Sequence, residues 1–421
     1  MSLFQHLSLM TLLICMITTH SHAQISSRLT CDPTFDPLAT QGYLEKPFAG
    51  HIVFSDISDA PTQIAFLNGR ERIEQSELRS GMLMGYYASL SPDGRYMFNF
   101  PSSEQNTLTI LDITTGETAT IPLHEDEVTA LTELNSYPPA NNPFFIHQRL
   151  EWVSSTEFVI RRLDLEVNQP IFLFKQSFNV ISAPLSVIRG NRVDFVLDQP
   201  HLDGSSDMYN FYSPTMKYLV QMGLMEQVDP LVRLARVVDT QTQEVIITLP
   251  PTGESDFFAT YLWSKNENSL FVTKNTFDSV IEITSAVLYQ IDFTVSPPQL
   301  TTQMWDDIER LFGGDVDLIT GDFMPTLSTN GDKIAFKVRK AGEYRTYYLI
   351  SYDLDTREIT AVCDSQFSSS SFIQTFWSPD EQYVGYYDNT RHVLVVMDTH
   401  EAAIYSLPLS ENDQQFLGWI P

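Results

Sequence analysis

One short pattern recurs along this chain: an aromatic residue or Leu, then Ser, then two or three turn residues, then an alternating strand. It first reads Leu90-Ser91-Pro92-Asp93-Gly94-Arg95-Tyr96, and it returns nearly unchanged as Trp377-Ser378-Pro379-Asp380-Glu381-Gln382-Tyr383. Looser copies begin at Leu327-Ser328, Trp263-Ser264, Trp152-Val153-Ser154 and Tyr212-Ser213. Successive anchors, from Leu90 to Trp377, are 62, 60, 51, 64 and 50 residues apart, and Trp419 supplies a seventh at the end of the chain. A period of this size means that one supersecondary unit is being repeated. Pro presets φ at the second turn position, Asp, Asn or Gly accommodates the reversal, and the anchor is positioned to fill space between stacked sheets.

A second signal follows within most repeats. A hydrophobic strand ends in Asp, with Thr three residues later at Asp112/Thr115, Asp239/Thr242 and Asp353/Thr356; Asp292 and Asp398 hold the same place without the Thr. These positions are expected to be hairpin turns between the outer two strands, each Asp capping its own turn. Each repeat then supplies about four short strands, which is one blade of a radial array.

The expected fold is therefore all-β: a β-propeller of four-stranded blades, seven by the anchor count, with six or eight left open by the degenerate copies at 152 and 212. Two residues follow Trp419, too few for another blade. The segments His51-Ile52-Val53-Phe54-Ser55 and Gln63-Ile64-Ala65-Phe66-Leu67 precede the first anchor unassigned. These N-terminal strands are expected to close the ring by completing the last blade, which removes the exposed sheet edges. The long first, second and fourth intervals are expected to hold long loops, where binding sites tend to lie on a rigid disk.

The domain reading is a signal peptide over 1–23, an extension over 24–50 and one propeller over 51–421. Leu7 to Ile17 is apolar and Ser21-His22-Ala23 has the small-x-small form of a cleavage site, although no Lys or Arg precedes the apolar run. No later apolar run reaches membrane-spanning length. A secreted or periplasmic protein is expected, as a monomer. Cleavage leaves Cys31 and Cys363, which an oxidising compartment permits to pair.

Composition removes several functions. With 53 Asp and Glu against 25 Lys and Arg, the net charge is −28, and no basic cluster offsets it. Such a field repels phosphate backbones, so nucleic acid is rejected as a partner. Gly253-Glu254-Ser255-Asp256 lacks the closing glycine of a nucleophile elbow. Gly313-Gly314 is not followed by the Lys-Ser/Thr of a phosphate loop. Ser368 to Ser371 is read as a connection between blades, and His201 and His392 as surface residues. Asp315, Asp317 and Asp322 are the candidate metal residues, for Ca²⁺, with Asp203 and Asp207 around Gly204 as a second group; neither matches a full calcium-loop spacing. No other cofactor, and no catalytic residue, is assigned.

The strings Ser91-Pro92-Asp93-Gly94-Arg95-Tyr96 with Asp112 to Gly116, and Trp377-Ser378-Pro379-Asp380 with Asp353 to Thr356, resemble the WD-like repeats of the periplasmic propeller protein of the Tol system. The propellers of prolyl-oligopeptidase-type peptidases look similar. The resemblance runs from about His51 to Trp419 and implies a propeller exported by a bacterium. It is expected to stand alone, without the α/β domain that precedes the one or the hydrolase domain that accompanies the other. The leading functional expectation is a non-catalytic scaffold that binds a protein, peptide or glycan through rim loops. The alternative is a hydrolase acting on a glycan or small polar substrate at the central channel.

Overall fold

The computed structural model describes residues 27–31, 48–56, 63–67, 72–75, 89–91, 95–99, 107–112, 115–125, 150–154, 157–164, 169–182, 185–196, 205–215, 217–225, 232–252, 256–279, 282–318, 323–343, 346–364, 373–388, 393–409 and 415–420. The described strands fall into seven sheets. In chain order, the first blade runs from Ser89–Leu90 to Thr118–Pro122, the second from Leu150–Ser154 to Leu185–Val196 and the third from Ser205–Tyr212 to Val245–Thr248. The fourth spans Asp256–Trp263 to Gln299–Thr301, the fifth Thr326–Leu327 to Ile359–Asp364 and the sixth Ile373–Trp377 to Ala403–Pro408. Each is built on an antiparallel meander of four strands, as the spacing of the two turn signals implies.

All seven anchors, Leu90, Trp152, Tyr212, Trp263, Leu327, Trp377 and Trp419, lie on the first strand of the meander in their own sheet. These first strands are neighbours: Thr326–Leu327 lies beside Ile373–Trp377, then come Gln415–Ile420, Ser89–Leu90 and Leu150–Ser154 in turn. They form the inner lining of a ring, so the architecture is a β-propeller.

The seventh blade is assembled from both ends of the chain. Gln415–Ile420 is its inner strand, and His51–Asp56, Gln63–Leu67 and Arg72–Gln75 are its outer three. His51 is in register with Ile420, Ile52 with Trp419 and Val53 with Gly418. Ile52, Phe54, Leu67 and Trp419 bury against Phe376, Leu394 and Val396 of the sixth blade. Phe48 packs on Trp419 at 4.7 Å, and the Trp419 indole N–H donates to the Ala49 carbonyl at 3.0 Å.

The core lies between blades, because each strand alternates its faces between two neighbours. Along Lys333–Lys340, Ile334, Phe336 and Val338 join Phe271 and Leu288 of the fourth blade, while Ala335 joins Val384 and Tyr386 of the sixth. Each such large side chain contributes on the order of 1.5–3 kcal/mol.

Two features depart from the expectation. The long fourth interval holds a helix, Gln303–Phe312, whose Met304, Trp305, Ile308 and Phe312 pack on the core between the fourth and fifth blades. Their i, i+1, i+4, i+8 spacing is an apolar helical stripe set among segments of strand periodicity. Gly313 ends the helix in the left-handed conformation (φ 67°), and the amides of Gly313 and Gly314 return to the carbonyls of Arg310 and Glu309. That pair is a helix cap. The long second interval is taken up by long strands, Gln169–Ser182 and Leu185–Val196, rather than by a loop. The surplus of the first interval, 126–149, lies outside the described residues.

Cys31 and Cys363 form a disulfide, with Cα atoms 4.8 Å apart. It places Ser27–Thr30 in parallel against the outer edge of Ile359–Asp364, an added strand on the fifth blade. The residues assigned to the signal peptide lie outside the described ones.

Ring closure yields a direct test. Removing residues 1–23 is expected to leave a single cooperative melting transition. Removal through Leu67 strips two strands from the seventh blade and is expected to abolish that transition or cause aggregation, read by calorimetry and light scattering. An unchanged midpoint in the shorter chain would contradict the closure.

Candidate functional site

A four-stranded meander sends its first-to-second and third-to-fourth connections to one face of the ring, and its second-to-third and inter-blade connections to the other. The two recurring sequence signals therefore share one face. On that face the Ser of each pattern closes its turn twice. Its amide donates to the carbonyl five residues on, and its hydroxyl accepts the amide of that same residue. The hydroxyl bonds are Tyr96 to Ser91 at 2.9 Å, Tyr218 to Ser213 at 3.0 Å, Ser269 to Ser264 at 2.8 Å, Lys333 to Ser328 at 3.2 Å and Tyr383 to Ser378 at 2.9 Å. Ser154 departs from this arrangement: it is in direct register with Glu157, so the second blade makes a tighter turn.

The Asp signal is also a turn. Asp239 Oδ1 accepts the amides of Gln241 and Thr242, both at 2.9 Å, Asp353 accepts Thr356 at 2.7 Å, Asp398 accepts His400 and Glu401, and Asp112 accepts Thr115 at 3.2 Å. Asp292 caps Thr294 in the same way. The Thr242 amide, with the Gln241 amide adding, holds the Asp239 carboxyl below its usual range.

Some acidic residues on this face join neighbouring blades. Three residues after the Ser, the backbone is left-handed: Gly331 has φ 82°, Glu267 59° and Glu381 58°. The two Glu residues occupy a conformation that favours glycine, and both are buried. Glu267 accepts the Thr215 amide at 2.7 Å and its hydroxyl at 2.9 Å, bonding the fourth blade to the third. Glu381 accepts the Asn330 amide at 2.7 Å, bonding the sixth to the fifth. Glu117 of the first blade accepts the Leu185 amide of the second at 2.9 Å.

Two other buried groups are candidates for chemistry on residue type alone. Asp307, on the helix and fully buried, receives Nε and Nη2 of Arg357, Nη1 of Arg310 and the Tyr352 hydroxyl. Burial, with the Asp307 carboxylate adding, pushes the Tyr352 hydroxyl well above its usual pKa. This network fastens the helix to the fifth blade. Lys337 is also fully buried, its ammonium 3.2 Å from the centroid of the Tyr386 ring across the interface of the fifth and sixth blades.

Of the three residues first singled out for metal, Asp315 and Asp317 are among the described residues. Asp315 is exposed after the helix cap, and Asp317 sits in Val316–Leu318, paired with Arg339 at 3.4 Å. Asp322, Asp203, His201, His392, Ser255 and Ser368 to Ser371 lie outside the described residues, and Asp207 is in the strand Ser205–Tyr212. Among the described residues no group of three or more His, Cys, Asp or Glu is arranged to hold a metal ion. No helix among them is long and apolar enough to cross a membrane.

The strand ends on the opposite face are separated by longer stretches of sequence. Of these, the helix-bearing segment between Thr301 and Val316 is described, while 126–149, 197–204 and 365–372 lie outside the described residues. The turn face is thus committed to holding the ring together, and the connection face is where the sequence adds length.

No protein-family model and no curated protein matches the sequence. Among solved structures, TolB from Acinetobacter baumannii aligns at 15% identity over 88% of this chain and 66% of its own, just under two thirds, with a TM-score of 0.33. The periplasmic gluconolactonase PpgL of Pseudomonas aeruginosa aligns at 12% identity over 86% and 96%, with a TM-score of 0.37. A putative 6-phosphogluconolactonase from Bacteroides fragilis aligns at 10% identity over 90% and 98%, with a TM-score of 0.38. These scores are too low to assign a family, and the propeller assignment rests on strand order and register.

Two outcomes test the turn face. Glu381→Ala loses a charge-assisted bond but keeps a side chain in left-handed backbone, and is expected to cost about 2 kcal/mol in denaturant unfolding. Glu381→Gly is expected to cost about 1 kcal/mol less, because glycine accepts that backbone; equal losses would contradict the strain. The depressed Asp239 pKa adds stability that is fully present above the unfolded carboxylate value, about 4, and is lost as pH falls through the lower folded value. Asp239→Asn is expected to flatten the fall in melting temperature across that acidic window.

Proposed function

We propose that this chain is an exported, non-catalytic propeller that binds a protein, peptide or glycan through the face carrying its long connections. The observation behind this reading is the asymmetry of the disk. The turns of one face are closed by repeated Ser and Asp bonds and joined across blades by Glu residues. The connections of the other face vary in length from blade to blade. A rigid scaffold presenting variable loops on one side is a common arrangement for recognition. The buried charges that suggest chemistry by residue type have partners: Asp307 is met by two arginines and a tyrosine, and Lys337 lies over an aromatic ring. The Cys31–Cys363 disulfide supports export to an oxidising compartment.

The test replaces residues 126–149 with a short Gly/Ser linker and compares this variant with Glu381→Ala. The linker variant is expected to keep its fold by circular dichroism yet lose the partner that the parent protein retains from its own extracellular or periplasmic fraction. Glu381→Ala is expected to keep that partner. Equal retention by both variants, or turnover by the parent in a broad glycan and ester hydrolase screen, would overturn the reading.

A further inference from the structure

The N-terminal strand is held in an unusual way. Ser27–Thr30 lies in register with Ile359–Val362 over four residue pairs, and all four of its residues are exposed. Leu29, its one apolar side chain, remains 45% exposed and is only about half covered by the blade. The Arg28–Glu358 ion pair, at 3.5 Å, is exposed on both sides and adds little in water. Four residues of parallel pairing around one half-covered apolar side chain do not hold a chain terminus for long. Among the described residues the disulfide is the remaining attachment.

A second anchor lies further along the same segment. Phe48 and Ala49 are fixed on Trp419, and His51–Asp56 follows at once as a strand of the seventh blade. The segment is thus fastened at the fifth blade by a covalent bond and at the sixth and seventh by packing and a β-ladder.

We propose that the Cys31–Cys363 disulfide is a releasable pin, whose reduction frees residues 27–31 from the fifth blade and leaves the ring closed. Cys31 is exposed whereas Cys363 is fully buried, so a reductant meets the Cys31 sulfur first. One thiolate of a dithiol attacks Cys31 Sγ, the S–S bond breaks, and Cys363 Sγ leaves as a thiolate. The second thiol of the dithiol, deprotonated, attacks its own partner sulfur in the mixed disulfide and releases Cys31 as a thiolate. The two thiolates take up two protons; the protein disulfide gains two electrons and the dithiol ends as a cyclic disulfide. The outer edge of Ile359–Asp364 is then left without its added strand, while the pairing of His51–Asp56 with Gln415–Ile420 contains no reducible bond.

The test is amide hydrogen exchange on the full chain, oxidised and then treated with dithiothreitol under native conditions, with the cysteines mapped by alkylation. Reduction is expected to make Cys31 alkylable and to lower protection by about 100-fold or more at the amides of Ser27–Thr30 and Ile359–Val362 that face each other, while the alternate amides of Ile359–Val362, directed at Tyr347–Asp353, keep theirs. Protection in Ile52–Phe54 and Gly418–Ile420 is expected to stay within about twofold. Cys31→Ser is expected to show the same pattern without reductant. Unchanged protection at Ser27–Thr30 would mean that packing holds the strand. Loss of protection at Ile52–Phe54 as well would mean that the bond supports the whole ring. Either result overturns the proposal.

Discussion

A ring of sheets is free of open edges only when its last sheet is complete, and here completion requires the two ends of the chain to meet. The antiparallel ladder between His51–Asp56 and Gln415–Ile420 is that meeting. It satisfies the backbone groups of the inner strand, whose burial without partners would be costly. It also creates the surface on which Ile52, Phe54 and Leu67 pack against the sixth blade. Because each blade buries its faces only against its neighbours, a gap at one seam exposes two faces at once. The Trp419 indole, between Phe48 and the Ala49 carbonyl, strengthens the point where the two termini come together.

Around the ring the same local solution is reused with variations. The Ser hydroxyl accepts the amide five residues on in five of the blades, and the Asp turn recurs on the same face. Where the left-handed position is Gly331 the turn is relaxed. Where it is Glu267 or Glu381, some backbone strain is accepted in exchange for a bond to the preceding blade. Anchors are varied in the same manner: Trp263 stacks on Tyr218 of the third blade, and Trp419 on Tyr383 of the sixth, with ring planes 8° and 18° apart. Burial, with the Asp398 carboxylate adding, pushes the Tyr383 hydroxyl up to about 12, so this ring stays neutral through the physiological range.

The acidity of the chain takes on a different meaning in this light. A net charge of −28 suggests a solvated surface or a cationic ligand when read from composition alone. Part of that charge is structural. Glu117, Glu267 and Glu381 accept backbone amides of neighbouring blades, Asp112, Asp239, Asp353 and Asp398 close their own turns, and Asp307 holds a helix in place. Asp317, a metal candidate by its spacing to Asp315, faces Arg339.

The sequence by itself determined the period, the strand bearing each anchor and the place where the ring closes. Those features depend on local chemistry: a turn needs Pro, Asp or Gly at fixed offsets, and an alternating strand shows its faces in its residue order. It also carried the helix Gln303–Phe312 as an apolar stripe, which is one short helical period among many strand-period segments. Only the tertiary structure decided which residues far apart in the chain meet. That Glu381 bonds Asn330 depends on how neighbouring sheets are set about the ring, that Arg357 reaches Asp307 on where the helix docks against the fifth blade, and that Cys31 finds Cys363 on the strand added to that blade's edge. Contacts between residues 50 to 332 positions apart leave no periodic trace in one sequence, because each partner satisfies its own local pattern equally well without the other.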